Sequence, residues 1–399
     1  MPEVRIAHVA NFYGPRSGGI RTTMNALTAG YAAAGHEVHL VVPGPRDAWE
    51  PVPGGTLHTV AAPMVPRTGG YRMITRPDAV RSLLDGLEPD RIEVSDRTTL
   101  LGLGDWARAR GVPSILMVHE RIDGVLRAFT PDPFDGLLPP LAERWNRRSV
   151  ARFDRVVATT EYAAAEVERL GLDVPVHRVP LGVDLGLFRP SAATERRRRS
   201  LAGEYEALVV VASRLSAEKR VDLAVDAVAR LVHDGTPARL VVAGGGQHLP
   251  RLRRRAERAG VPHRFMAFVP DRERLAGVLA CADVVVAPGP IETFGLAALE
   301  ALACGTPVVV SRTSALPEVV GDAGAAPAPE PAAIAAAVRE VLDRPVATRR
   351  AAARARAELF PWSLTVERML ALHGAPVLPS ARRGAATHRA ARSGVRAGA

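Results

Sequence analysis

Short runs of β-branched and other apolar residues alternate with stretches of helical spacing along nearly the whole chain. VRIAHVA, EVHLVVPG, RIEVSD, SILMVHE and RVVATT are almost continuously apolar, which predicts strands of a parallel sheet covered on both faces. Between them, GGIRTTMNALTAGYAAAG and AVRSLLDGL repeat their apolar residues at helical intervals. After VPLGVDLGLFRP the pattern restarts with ALVVVASRL, ARLVVAGG, HRFMAFVP, ADVVVAPG and TPVVVSR, interleaved with helices such as RVDLAVDAVARLVHDG. Strands alternating with helices predict the α/β class, and two such series predict two doubly wound sheets. The expected divisions are a first domain at 1–183, a second at 184–360, one further helix at 361–373 and a tail at 374–399. Pro180 to Pro190, with Gly182 and Gly186, is the hinge candidate.

The 399 residues fit about two domains at roughly 150 residues each. No apolar run approaches the roughly 18 residues that a spanning helix needs. Glu3 and Arg5 near the N-terminus argue against a signal peptide. Cys281 and Cys304 are the only cysteines, which fits a reducing cytoplasm and offers no metal-ligand spacing. The net charge is +10, and five of the arginines responsible (Arg382, Arg383, Arg389, Arg392 and Arg396) lie in an acid-free Gly/Ala/Arg tail. Such a tail buries too little apolar surface to offset its ordering entropy, so disorder is expected there. With 5% aromatic residues and no recognisable reading module, the basic excess gives no case for a nucleic-acid partner.

In open parallel sheets, ligands bind beyond the carboxyl ends of the strands. Two facing sheets would therefore form a cleft lined by the loops that follow strands. The stretch IETFGLAALE follows one strand and carries Glu292 and Glu300 eight residues apart. A helix starting near Phe294-Gly295 would offer free N–H groups to a phosphate, and would set Glu300 roughly 7–8 Å further along its axis. Two acids flanking a diphosphate site suit a nucleotide-sugar, Glu292 on the sugar and Glu300 on the ribose. Arg214 and Lys219 in SRLSAEKR could neutralise the leaving diphosphate; a solvated loop with Ser216 as a helix cap is the alternative. Gly18-Gly19 again presents backbone donors at a helix start, and His119 ends the strand SILMV. No Asp-x-Asp, P-loop, G-x-S-x-G or zinc-spaced His/Cys set occurs, so no metal requirement is expected and the nucleotide-sugar is a substrate.

Together these motifs resemble family four of the retaining glycosyltransferases, with their two-domain B-type fold, from about Val4 to His373. E-T-F-G-L-A-A-L-E resembles that family's E-x7-E signature, R-L-S-A-E-K its diphosphate-binding pair, P-L-G-V-D its interdomain crossing and Gly18-Gly19 its phosphate loop. More narrowly, ANFYGPRSGG, EVSDR, HER and the stretch around Glu292 look like the actinobacterial phosphatidylinositol-dimannoside mannosyltransferases, which use GDP-mannose. The resemblance implies an acceptor-binding N-terminal domain and a donor-binding C-terminal one. It implies hexose contacts from Glu292 and the N–H groups of Phe294, Gly295 and Leu296, and ribose contacts from Glu300. Arg214 and Lys219 would hold the diphosphate, Gly18 and Gly19 the β-phosphate side, and backbone near Phe268 and Val269 the base. His119 would stand beside the transferred sugar, with Tyr13, Arg16, Asp96 and Arg97 toward the acceptor. The chain departs from the family at Gly244-Gly245-Gly246-Gln247 and Phe265-Met266-Ala267, both flanking the nucleoside site.

A glycolipid acceptor requires an enzyme on a membrane surface. PFDGLLPPLAERWNRRSVARF mixes Phe134, Leu137, Leu138, Leu141 and Trp145 with Arg144, Arg147 and Arg148. That composition suits docking on anionic lipid at the inner face of the plasma membrane, or equally a helix packed inside the N-terminal domain. A soluble acceptor of inositol phosphate or trehalose type, and a nucleotide-sugar epimerase of the same fold, remain the competing readings; linkage and oligomeric state are left open.

Overall fold

The computed structural model describes residues 3–14, 18–65, 70–123 and 138–375. Among these, two separate sheets form. The first contains β1 (Arg5–Ala10), β2 (Glu37–Gly44), β3 (Ala48–Val52), β4 (Gly55–Ala61), β5 (Arg91–Ser95), β6 (Ser114–Val118), β7 (Arg155–Ala158) and β8 (Val176–Arg178). Its spatial order is β3-β4-β2-β1-β5-β6-β7-β8. The second contains β9 (Ala207–Ala212), β10 (Ala238–Ala243), β11 (His263–Met266), β12 (Val284–Ala287), β13 (Val308–Val310) and β14 (Gly324–Ala325), ordered β11-β10-β9-β12-β13-β14. Every described pairing except β3 with β4 is parallel. In each sheet the strand order reverses at the first strand, so β1 and β9 mark the switch points where α/β folds place ligands.

The strands that the apolar runs predict are present, and β1, β6 and β9 are buried almost throughout. Four strands escape that reading. β3 is an exposed edge whose sequence AWEPV contains proline, and β4 buries only Leu57 and Val60. β8 and β14 have three and two residues, too few for a period to show.

Between the domains, Leu181, Val183 and Phe188 are buried, and Val183 bridges to Pro361, where the chain crosses back. The helix Trp362–His373 then lies against the first domain: Met369 and Leu370 share a core cluster with Ile6, Leu27 and Tyr31. No described helix is long and apolar enough to cross a membrane.

Candidate active site

Apart from Arg16, which lies outside the described residues, the site residues named from sequence lie in the segments that follow the carboxyl ends of strands, with Gly19 and Leu296 opening helices, Lys219 ending a short 3-10 helix and Glu300 one turn into a helix. β9 delivers Arg214 and Lys219, and β12 delivers Glu292. Lys219 Nζ lies 2.5 Å from Glu292 Oε1, both side chains about one-fifth exposed. Arg214 is half-exposed, 3.4 Å from Glu218, and its guanidinium lies 5.9 Å from the ring of Tyr71 in the opposite domain. Ser216 precedes the 3-10 helix Ala217–Lys219, but its side chain makes no capping bond; its hydroxyl donates to Glu218 Oε1 at 2.5 Å.

After Glu292 the chain turns through Gly295 into the helix Leu296–Ala303. Gly295 has φ +75°, and a Cβ there would lie 2.2 Å from Leu316, so the fold itself demands glycine. The N–H groups of Phe294, Gly295 and Leu296 have no hydrogen-bond partner among the described residues and are available to a ligand. Leu299 and Ala303 are buried under this helix, as is Glu300 at 6% exposure. Burial pushes the Glu300 carboxyl up, against the pull of Arg272, whose Nη2 donates to it at 2.9 Å. Arg272 is absent from the sequence reading. It opens the helix Arg272–Cys281, stacks 5.0 Å from the Phe188 ring and reaches Thr22 Oγ1 of the other domain at 3.4 Å. A cleft of about 160 Å³ beside β11 is lined by Phe265, Phe268, Val269 and Arg274 among others, with Phe268 40% exposed.

Across the cleft, Gly18 precedes the helix Gly19–Ala33, and a Cβ at either Gly18 or Gly19 would meet no atom within 4 Å. Packing does not require glycine here, in contrast to Gly295. The bare backbone leaves room for a ligand oxygen at a helix start. Tyr13 donates to Asn25 Oδ1 at 2.8 Å. Asp96 accepts from the N–H groups of Thr98 and Leu100, both at 2.9 Å, and from the Thr98 hydroxyl, so its carboxylate shapes its own loop. Arg97 is buried, with Nη1 2.8 Å from Asn146 Oδ1 and 3.4 Å from Glu166. Asp96 and Arg97 thus serve the loop and the domain interior in this conformation.

His119 follows β6 and is partly buried. Its Nε2 lies 2.8 Å from Ser95 Oγ. Burial above all pushes its imidazole down to about 3, so the ring is neutral. Thr293, between Glu292 and Phe294, joins the domains. Its hydroxyl donates to the His119 carbonyl, and its own carbonyl accepts from Thr160 Oγ1 at 2.8 Å and Thr159 Oγ1 at 3.2 Å. Glu318 adds a second clasp, accepting from the N–H groups of Glu161 and Tyr162, each at 2.7 Å, at the start of the helix Glu161–Glu168. Neither clasp is visible in a one-dimensional pattern, because Thr293 and Glu318 are ordinary residues until the domains meet.

Of the segment considered for lipid docking, Phe134 and Leu137 lie outside the described residues. The remainder forms the helix Leu138–Val150. One face is packed inside the domain and the other is exposed: Ala142, Asn146, Ser149 and Val150 are buried, while Leu141, Arg144, Trp145 and Arg148 are exposed at helical spacing. The Trp145 indole N–H donates to the Arg97 carbonyl at 2.7 Å. Among the described residues, no group of three or more His, Cys, Asp or Glu side chains is placed to hold a metal ion.

Known proteins share this architecture. The solved structure of sucrose-phosphate synthase from Thermosynechococcus elongatus superposes with TM-score 0.77 at 20% identity, over 93% of this chain and 98% of that one. Anabaena HepE in complex with UDP and glucose gives 0.73 at 16%, over 93% and 100%. A GDP-mannose-dependent alpha-(1-6)-phosphatidylinositol dimannoside mannosyltransferase from Mycobacterium tuberculosis is 48% identical over 380 residues, 93% of this chain and 96% of that protein. A GDP-mannose-dependent alpha-mannosyltransferase from Mycolicibacterium smegmatis is 29% identical over 77% of this chain and 79% of its own length. Residues 18–182 match the glycosyl transferase 4-like domain and residues 193–358 the glycosyl transferases group 1. With both halves matched and a relative this similar along nearly its full length, the chain belongs to this family of two-domain glycosyltransferases.

Proposed function

We propose that the protein transfers mannose from GDP-mannose to a phosphatidylinositol mannoside, with retention at the anomeric carbon. The observation that supports the reading is that Lys219 meets Glu292 beside three unpartnered N–H groups, on a side of the second domain from which Arg214 lies 5.9 Å from the Tyr71 ring and Arg272 lies 3.4 Å from Thr22, in the helix that Gly18-Gly19 opens. The 48% identity to the mycobacterial enzyme supports this donor and acceptor class.

In this reading Glu292 and the N–H groups of Phe294, Gly295 and Leu296 hold the hexose hydroxyls. Arg214 and Lys219 grip the diphosphate, with the backbone of Gly18 and Gly19 at its β-phosphate. Glu300 holds the ribose, and the strand end at Phe268 and Val269 faces the base. The C1–O bond to the β-phosphate breaks and a C1–O bond to the acceptor hydroxyl forms on the same face, while the departing phosphate oxygen takes the hydroxyl proton. The two cations stabilise the charge that builds on that oxygen, and the domains hold the partners in register. Tyr13 stands on the acceptor side. The exposed face of Leu138–Val150 seats the enzyme on the anionic inner surface of the plasma membrane, where such an acceptor resides.

Radiolabelled GDP-mannose, offered with phosphatidylinositol mannosides, inositol 3-phosphate or trehalose 6-phosphate, tests the proposal. Label should enter the lipid fraction only. Label in a soluble product would move the acceptor to the inositol phosphate or trehalose class, and sugar release without any acceptor would indicate an epimerase-type reaction.

A further inference from the structure

Parallel strands buried on both faces have little tolerance for ionisable side chains, yet a polar line crosses the first sheet beneath the cleft. In register, His8 of β1 pairs with Glu93 of β5. Ser95 lies two residues beyond Glu93 and so on the same face. Glu93 is completely buried, and its Oε1 accepts from the Tyr31 hydroxyl and from His373 Nε2, each at 2.6 Å. Its Oε2 lies 3.0 Å from His8 Nδ1. His8 Nε2 lies 2.8 Å from Ser95 Oγ, and Ser95 Oγ lies 2.8 Å from His119 Nε2. The line therefore runs from His373, the last residue of the returning helix Trp362–His373, to the ring of His119 just beyond β6. The carbonyl of His373 is also held, by Arg91 Nε at 2.9 Å.

We propose that Ser95 and His8, anchored on Glu93 and the C-terminal His373, are positioning residues that fix His119 in one tautomer. The inference rests on the reading of His119 as the group beside the transferred sugar. The direction of each bond follows from the carboxylate. Glu93 can only accept, so His373 Nε2 carries hydrogen toward it; His8 Nδ1 makes no aligned hydrogen bond to Oε2, yet a bare nitrogen 3.0 Å from a carboxylate oxygen would set lone pair against lone pair, which favours hydrogen there too. With hydrogen on Nδ1 alone, the arrangement proposed here, His8 Nε2 is a bare acceptor. His8 Nε2 then accepts from the Ser95 hydroxyl, and the Ser95 oxygen in turn accepts from His119 Nε2–H. His119 Nδ1 is left without a protein partner among the described residues and accessible, as an acceptor only. It can receive a hydrogen bond from a sugar hydroxyl and cannot donate one, which fixes both ring orientation and the hydroxyl it selects. A second structural consequence is that the helix returning from the donor domain completes the support of a group in the acceptor domain.

Long-range proton–nitrogen spectra of the full-length protein with labelled histidine, without ligand, read the tautomer directly. Hydrogen on His119 Nε2 and a bare Nδ1 are expected; hydrogen on Nδ1 would overturn the proposal. Ser95→Ala should release the ring to a tautomer mixture and lower kcat for mannosyl transfer about 10- to 100-fold, with KM for GDP-mannose within twofold. His373→Gln, which keeps a donor to Glu93, should stay within about threefold of the parent, and His373→Leu should fall about tenfold in kcat. A Ser95→Ala enzyme with parental kcat, or with unchanged His119 spectra, would sink the idea even if the His373 variants fail to fold. A parent inert toward GDP-mannose would overturn the donor reading alone, since the spectra decide the tautomer independently of activity.

Discussion

Lys219 and Glu292, 73 residues apart in sequence, meet at 2.5 Å in the cleft, so the cation assigned to the diphosphate and the acid assigned to the sugar neutralise each other before any donor arrives. Donor binding must replace this contact with contacts to both ends of the sugar phosphate. Each charged hydrogen bond is worth about 1.5–3 kcal/mol, or about 10- to 150-fold in rate. Glu292→Gln and Lys219→Ala should each lower kcat/KM for GDP-mannose by at least that range while the circular dichroism spectrum is unchanged. Turnover near the parent's in steady-state assays would remove both assignments.

Arg272 opposes the upward push that burial exerts on Glu300. In Arg272→Ala the carboxyl should protonate at higher pH and accept ribose hydroxyls less well under acid conditions. Calorimetric titration with GDP should show about tenfold weaker binding near pH 6 and a smaller deficit near pH 8. A pH-independent deficit would mean that Arg272 contacts the nucleotide without acting on Glu300.

The exposed row Leu141, Arg144, Trp145 and Arg148 predicts salt-sensitive attachment to anionic vesicles. A basic residue near such a surface contributes about 1 kcal/mol. Arg144→Glu with Arg148→Glu should lower co-sedimentation with phosphatidylinositol-rich vesicles at least tenfold and leave GDP affinity unchanged. Equal sedimentation of parent and variant would assign the row to another role.

The neutral His119 ring predicts acid lability. Its imidazole titrates at about 3 when folded and near 6.5 when not. Between those values the unfolded chain binds a proton that the folded chain does not, so stability falls as pH drops below 6.5. The slope is about 1.4 kcal/mol per pH unit for that proton. Burial alone would raise the Glu93 carboxyl, but His8 and His373 outweigh it and hold the group well below its usual range, adding a loss in the same direction at lower pH. His119→Asn should show a shallower decline of melting temperature between pH 7 and pH 5 than the parent. Parallel declines in scanning calorimetry would place the acid sensitivity elsewhere.

The apolar runs of β1, β6 and β9 by themselves determined the α/β class and the restart of the pattern after Phe188, because a strand covered on both faces must be apolar along its length. The candidate loops were legible for a related reason: in such sheets, functional groups follow the strands' carboxyl ends, so Glu292, Lys219, Arg214, Gly19 and His119 stood out by position. Edge strands such as β3 were not legible, since solvent on both sides imposes no period. Only the folded chain decided that Lys219 meets Glu292, that Arg272 reaches both Glu300 and Thr22, and that Thr293 and Glu318 clasp the opposite domain. The same holds for the line from His373 to His119. Such contacts join residues tens to hundreds of positions apart, and a directional hydrogen bond leaves no periodic trace in the sequence that forms it.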